Sequence, residues 1–183
     1  MGHDHSAKFF AHAYGGYMHG LIQAMQYEIN PAQLLTQVSN GAYDDQLLSQ
    51  ITLTCSSALL TDNGQVNLAS AGHPAPLLIS DDGVCSIPST GVLPGLLSDV
   101  EYENTSLQLK KGQRLAFYTD GLFESVADNN ARNSLLQQIY DALYDTRHLS
   151  IKQSIQQVMA IFDRLTNGQP SDDTLLLLIE YQL

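Results

Sequence analysis

The chain has 183 residues, of which 44% are hydrophobic and 15% charged, so it is long enough to bury a core and is not disordered. Eight basic against 19 acidic residues give a net charge of −11, which argues against a nucleic-acid partner and is compatible with divalent cations. No run approaches the roughly 20 apolar residues that span a bilayer, and the first residues do not form a signal peptide, so we expect a cytoplasmic protein with no membrane segment.

The first part of the chain predicts two helices. Apolar residues three and four positions apart predict a helix over 7–27, in which three glycines indicate close packing against another element (Gly15, Gly16 and Gly20). Pro31 and the apolar residues that follow predict a second helix over 31–39, which the polar stretch beginning at Asn40-Gly41 should end.

The middle of the chain predicts antiparallel strands. Residues 51–60 and 65–72 form a predicted hairpin with Asn63-Gly64 at its tip, and further strands are expected at 77–80, 84–87, 101–110 and 113–119. The last of these is mostly apolar, so we expect it to be covered on both faces. Cys55 and Cys85 lie in β-prone apolar settings and are expected to be reduced core residues, with a single disulfide as the alternative.

Two helices and a final strand complete the pattern. Amphipathic segments at 134–144 and 150–165 predict helices, the second with Ser150 as its N-cap. Residues 174–181 predict a strand too apolar to be exposed on either face. Helices, then antiparallel strands, then helices and a closing strand indicate an α+β fold.

Acidic residues flank two of the predicted strands. Asp120 directly follows strand 113–119, and Asp172 and Asp173 directly precede strand 174–181. If the two strands are neighbours, these carboxylates meet at one rim of a sheet, and hard oxygen ligands without nearby His or Cys favour Mg²⁺ or Mn²⁺. Taken singly, each acidic segment is explained more simply as a turn.

Four segments occur in an order and spacing that resemble one family. They read SAGHPAPLLI (70–79), GVLPGLL (91–97), LKKGQRLAFYTDGLFES (109–125) and SDDTLLLLIE (171–180). Together they resemble the metal-dependent, type 2C-like protein phosphatases, specifically the SpoIIE/RsbU-like bacterial branch. The resemblance covers essentially the whole chain and implies a single phosphatase domain over 1–183, built as an αββα sandwich of antiparallel sheets flanked by helices.

The resemblance also implies a chemistry. Two Mn²⁺ or Mg²⁺ ions would activate a water that attacks phosphoserine or phosphothreonine, with Asp120 as one metal ligand and an acid of the 171–173 turn, Asp172 or Asp173, as another. No further catalytic residue is identified. The expected setting is the output domain of a cytoplasmic bacterial signalling protein, and the expected partner is a phosphorylated regulatory protein similar to an anti-sigma-factor antagonist.

The chain departs from the family pattern in three places. The two acids that the family carries before its first helix have no counterpart here, Gly2-His3-Asp4 stands where the family has Gly-His-Gly, and Ser171 occupies the usual ligand position unless one residue is deleted. We therefore expect an N-terminally incomplete domain whose exposed sheet edges favour a partner strand or a homodimer. The alternative function is a catalytically inactive phosphatase-fold adaptor that binds a regulatory protein.

Overall fold

A computed structural model describes residues 5–25, 28–89, 91–125 and 129–183. The described chain forms five helices, His5–Ala24 (α1), Pro31–Asp44 (α2), Gly121–Glu124 (α3), Asn129–Asp145 (α4) and Ile151–Thr166 (α5), with a 3₁₀ turn at Leu48–Gln50. Its seven strands are Cys55–Leu60 (β1), Gln65–Ala71 (β2), Leu77–Ser80 (β3), Gly83–Ser86 (β4), Thr105–Gln108 (β5), Arg114–Tyr118 (β6) and Leu176–Glu180 (β7). All strand pairs within these elements are antiparallel where their register is defined, which confirms the α+β class.

The residues divide into two compact units. The first takes in the described parts of Met1–Thr61, Gln65–His73 and Ser89–Leu107, and contains α1, α2 and the sheet β1-β2-β5. The second takes in Asp62–Gly64, the described parts of Pro74–Pro88 and Gln108–Leu183, and contains the sheet β4-β3-β6-β7 with α4 and α5. Each unit has its own cluster of buried apolar side chains.

Helix α2 of the first unit is longer than the sequence predicts. The Asn30 side chain accepts a hydrogen bond from the Gln33 N–H and caps its start. The helix continues through Gly41 to Asp44, and Gly41 lies so close to Tyr17 that a Cβ there would be 1.8 Å from the Tyr17 hydroxyl oxygen. Tertiary packing therefore overrides the low helix propensity of this glycine.

The close packing predicted for α1 is wrong at the glycines chosen for it. A Cβ added at Gly15, Gly16 or Gly20 would meet no atom of the described residues within 4 Å. The close contact between the two helices instead involves Gly41 of α2, so the glycine that matters lies in the partner helix. The buried anchor of α1 is Tyr14, whose hydroxyl donates to the Leu48 carbonyl at 2.9 Å.

In the second unit, the sheet packs against α4 and α5. Its buried cluster includes Ile79 of β3, Ala116 of β6, Leu135 and Ile139 of α4, and Val158 and Phe162 of α5. Strand β6 is largely buried, as its composition predicts. Strand β7 is not: Leu177 is 48% exposed and its neighbour Leu175 57% exposed, because β7 is the outer strand of this sheet as described. The prediction that β7 is covered on both faces is wrong.

Of the other local predictions, some are confirmed and one is wrong. The predicted hairpin forms with Asn63-Gly64 within its turn and Leu60 opposite Val66, and Ser150 caps α5 through a capping box with Gln153. Both cysteines are free thiols, but Cys85 is exposed and only Cys55 is partly buried, where burial raises the pKa of its thiol.

Among the described residues, no helix has the length and apolarity needed to cross a bilayer.

Candidate metal centre

The site begins with the pairing of β6 and β7. These strands run antiparallel, with Arg114 opposite Glu180 at one end and Tyr118 opposite Leu176 at the other. The residue after β6 and the residue before β7 therefore lie at the same rim of the sheet. The two strands are therefore neighbours. This is the condition under which the sequence predicted that the acidic residues meet at one rim.

Thr119 joins the two acidic segments at this rim. Its hydroxyl donates to the Asp173 carbonyl at 2.8 Å and accepts from the Leu175 N–H at 2.8 Å. Its own N–H donates to the Leu175 carbonyl at 3.2 Å, which extends the ladder by one pair. The Thr119 hydroxyl thus acts both as a donor and as an acceptor, and it fixes the segment before β7 against the segment after β6.

Asp120 is the N-cap of the short helix α3. Its carboxylate accepts a hydrogen bond from the Gly121 N–H at 3.0 Å, and its carbonyl accepts from Phe123 and Glu124. The side chain is exposed. The interpretation of Asp120 as a turn residue is therefore correct in part, but a single cap leaves the carboxylate with lone pairs for a further partner.

Asp172 and Asp173 form a tight turn on the facing segment. The Asp172 carboxylate accepts from the Asp173 N–H at 2.7 Å, and the Thr174 hydroxyl donates to the Asp172 carbonyl at 3.2 Å. Both aspartate side chains are exposed, as is Ser171. The rim therefore presents acidic side chains from both segments.

Gly121 allows the two segments to approach. A Cβ at this position would lie 2.4 Å from the Asp173 carbonyl oxygen and 3.1 Å from that of Asp172. Because both obstacles are backbone atoms, no side-chain rearrangement would relieve the clash. The sequence alone did not predict the roles of Thr119 and helix α3, because both depend on the facing segment.

The chemistry of the rim suits a hard cation. Its donors are carboxylate and carbonyl oxygens, which Mg²⁺ and Mn²⁺ prefer. However, within the residues that the structure describes, no three His, Cys, Asp or Glu side chains lie together as a metal-binding group. The segment Gly2-His3-Asp4 lies outside the described residues. The described residues therefore contain no complete metal site.

Tyr118, the residue before Thr119, lies in the buried apolar cluster of the second unit. Burial, with a smaller contribution from Tyr140, raises its pKa from 10.0 to about 12. Its ring packs edge-on against Phe123 of α3, with the centroids 4.7 Å apart. The hydroxyl thus stays neutral at physiological pH, and the packing holds α3 against the end of β6.

Solved structures identify the fold. The RsbU and RsbW domains of a Mycobacterium tuberculosis protein align with a TM-score of 0.78 at 22% identity, over 100% of this chain and 51% of that chain. The SiaA phosphatase domain of Pseudomonas aeruginosa gives 0.77 at 15% identity, over 97% of this chain and 70% of that one. The catalytic domain of the serine/threonine phosphatase PstP, in complex with 2 manganese ions, gives 0.54 at 12% identity, over 91% and 79%.

The chain therefore has the type 2C protein phosphatase fold that occurs in signalling proteins, and it spans about half the length of the first of these structures. The family model of Stage II sporulation protein E (SpoIIE) matches residues 1–182, so the chain belongs to the SpoIIE family. A comparison with curated proteins gave no match.

Proposed function

We propose that residues 1–183 belong to one Mn²⁺- or Mg²⁺-dependent serine/threonine protein phosphatase domain of a cytoplasmic bacterial signalling protein. The observation that carries this proposal is the rim at which Thr119 holds the Asp172–Asp173 turn against Asp120. This arrangement brings acidic residues from two distant segments to one rim, and their oxygen atoms are the kind of ligand that a divalent cation prefers.

Each rim residue has a defined part in the proposal. Asp120 and an acid of the facing turn, Asp172 or Asp173, hold metal, while Thr119 and Gly121 position the backbone that carries them. The bound metal would activate a water and neutralise charge on the phosphoryl group. Because uncatalysed phosphate-monoester hydrolysis is so slow, the complete site has to lower the barrier by about 20 kcal/mol or more.

The proposed substrate is a phosphorylated regulatory protein similar to an anti-sigma-factor antagonist. Support comes from the solved structure that contains an RsbU and an RsbW domain in one protein, which is a signalling context. A homodimer belongs to the same proposal, because Leu177 of the outer strand β7 and Leu175 just before it have exposed side chains.

The test measures metal binding and turnover on the same samples. Mn²⁺ is titrated by calorimetry, and phosphate release from a phosphoserine peptide is followed with Mn²⁺ or with EDTA. We expect Asp120→Ala to abolish metal-dependent release and to weaken Mn²⁺ binding. The matched control is Asp163→Asn, which alters an exposed acid on α5. Equal turnover by wild type and Asp120→Ala would exclude the assigned role.

One observation favours a second candidate, an adaptor without catalysis. In the described part of the chain, no three acidic, histidine or cysteine side chains lie together as a metal-binding group. An adaptor would bind a regulatory protein equally well in Mn²⁺ and in EDTA, and would release no phosphate in either. Pull-down of a purified phosphorylated regulator under both conditions separates the two functions.

A further inference from the structure

The opposite end of β6 carries a cluster of basic residues. The turn before β6 contains Lys110 and Lys111, and the turn between α4 and α5 contains Arg147 and His148, with Lys152 in the first turn of α5. These five residues are called the basic pole below. The pole lies at the Arg114 end of β6, whereas Asp120 lies beyond its Tyr118 end.

The basic pole concentrates the positive charge of an acidic chain. Together with Arg114 it contains five of the eight Lys and Arg residues, although the chain carries a net charge of −11. The nearby acids include Asp81, which pairs with Arg147 at 3.0 Å, Glu180, which pairs with Arg114, and Asp82, which lines the same cleft as Lys110 and Lys111.

The remaining lysines keep a net positive charge at the pole. No ion pair is formed by Lys110, Lys111 or Lys152 within the described stretches of the chain, and all three side chains are exposed. Exposed charges act over about 10 Å at moderate ionic strength, so this local excess is felt by a ligand despite the negative total.

The pole surrounds two adjacent clefts. One, of about 370 Å³, is lined by Lys110, Lys111, Arg147 and His148. The other, of about 630 Å³, is lined by Arg147, His148, Lys152 and the buried Arg114. Because Arg147 and His148 line both, the clefts form one extended depression along the end of the unit.

The backbone beneath the pole is rigidly held. The Arg114 guanidinium donates to the Thr146 carbonyl at 3.2 Å, to the Ser154 hydroxyl at 2.8 Å and to the Leu149 carbonyl. Arg147 lies 4.0 Å from the centre of the Tyr144 ring. The α4–α5 turn is thus fixed before any ligand arrives, which lowers the entropic cost of binding.

We propose that the basic pole is a docking surface for an acidic polypeptide segment of a partner protein. Arg114 is engaged on several sides by its own fold, so the charges offered to a ligand belong to long, exposed side chains. Such charges, spread along an extended depression, suit a run of carboxylates better than one small anion. The rest of the chain repels an acidic segment, which directs it to this end.

The test uses a fluorescein-labelled peptide of alternating Glu and Gly, with EDTA present so that metal binding has no influence. Anisotropy is measured at about 20 mM and about 150 mM salt. We expect Lys110→Gln/Lys111→Gln to weaken binding about fivefold or more at low salt and to reduce the salt dependence. The control Arg132→Gln/Arg164→Gln removes the same charge from other positions and should change binding less than about twofold.

Three results would overturn the proposal. A Gly-Ser peptide could bind as tightly as the Glu-Gly peptide, or both double variants could weaken peptide binding equally. Sedimentation velocity could also show salt-sensitive self-association that only the lysine double variant abolishes. The last result would assign the pole to a second copy of this acidic chain. Thermal unfolding of each variant establishes that it is folded. Because the peptide titration contains EDTA, a negative result there does not affect the metal-site proposal, which is tested by Mn²⁺ binding and phosphate release.

Discussion

The two ends of strand β6 carry charges in opposite situations. At one end, Arg114 is 3% exposed and its guanidinium is bound by Glu180, Ser154 and the carbonyls of Thr146 and Leu149. At the other end, the exposed Asp120 carboxylate accepts one local hydrogen bond, from the next residue along the chain.

The charge of Arg114 is therefore used within the fold, whereas the charge of Asp120 is available to a ligand. A charged group whose hydrogen-bonding capacity is filled by its own fold stabilises that fold and has nothing to offer a ligand. A carboxylate held at a sheet rim with most of its capacity unused can receive one. The strand therefore joins a core anchor to a candidate ligand, and substitutions at its two ends should have opposite consequences.

The largest effect on stability is expected for Arg114→Met. The substitution leaves Glu180 and two carbonyls without their partner in a mostly buried setting, so the free energy of unfolding should fall by about 3–5 kcal/mol. Urea unfolding followed by circular dichroism measures this. Arg164→Met, which alters an exposed arginine on α5, is the control and should change stability by less than about 0.5 kcal/mol. A loss below about 1 kcal/mol for Arg114→Met would remove it as the anchor.

A smaller effect is expected at the rim itself, for Gly121→Ala. The new Cβ would stand 2.4 Å from the Asp173 carbonyl oxygen, so the segments must separate at a cost of about 1–3 kcal/mol. Gly20→Ala in α1 is the matched control, because its Cβ enters open space and should stabilise the helix by about 0.5–1 kcal/mol. Changes of the same sign in both variants would show that the close approach is not important.

Tyr118 provides a test by pH. Its pKa is raised from 10.0 to about 12 in the folded protein, so the folded state holds this proton more tightly than the unfolded state does. The corresponding stabilisation is complete below pH 10 and is lost as the pH rises towards 12. Stability curves for wild type and Tyr118→Phe should differ in slope within that window. Parallel curves there would contradict the assignment of this loss to Tyr118.

The smallest effect on the metal-free protein is expected for Asp120→Asn. Asparagine retains an oxygen to accept from the Gly121 N–H, so the free energy of unfolding should change by less than about 0.5 kcal/mol. The increase in unfolding temperature that Mn²⁺ gives the wild type should be lost, since ligand binding stabilises only the state that binds it. A large loss of stability without metal would make Asp120 a structural residue, like Arg114.

The sequence predicted local features of this fold better than their surroundings. The hairpin tip at Asn63-Gly64, the Ser150 cap and the buried strand β6 follow from residue preferences that act over a few positions. The exposure of Leu177 does not, because an outer strand differs from a central one only in what lies beside it. Gly41 was misjudged for the same reason, since its partner Tyr17 lies in another helix.

In the candidate site, too, features set by neighbouring residues could be predicted and features set by distant partners could not. The acids at 120, 172 and 173 could be chosen from the sequence because each lies at a predicted strand end, and the family resemblance gave them a role. Thr119 could not be chosen, since a threonine at the end of a strand is ordinary until its hydroxyl is seen between Asp173 and Leu175. The role of Arg114 could not be predicted either, because its partners come from three later segments.

The hydroxyl of Thr119 also bears on when the site can form during folding. It bonds to a residue 54 positions later, and both α4 and α5 lie between them. Closing so long a loop has an entropic cost that intervening helices can reduce by shortening the distance between its ends. During synthesis, Asp120 leaves the ribosome well before the segment it faces, and the rim is assembled only once both later helices and the start of β7 have followed. A nascent chain that stops before residue 173 therefore carries the first acidic segment without the second.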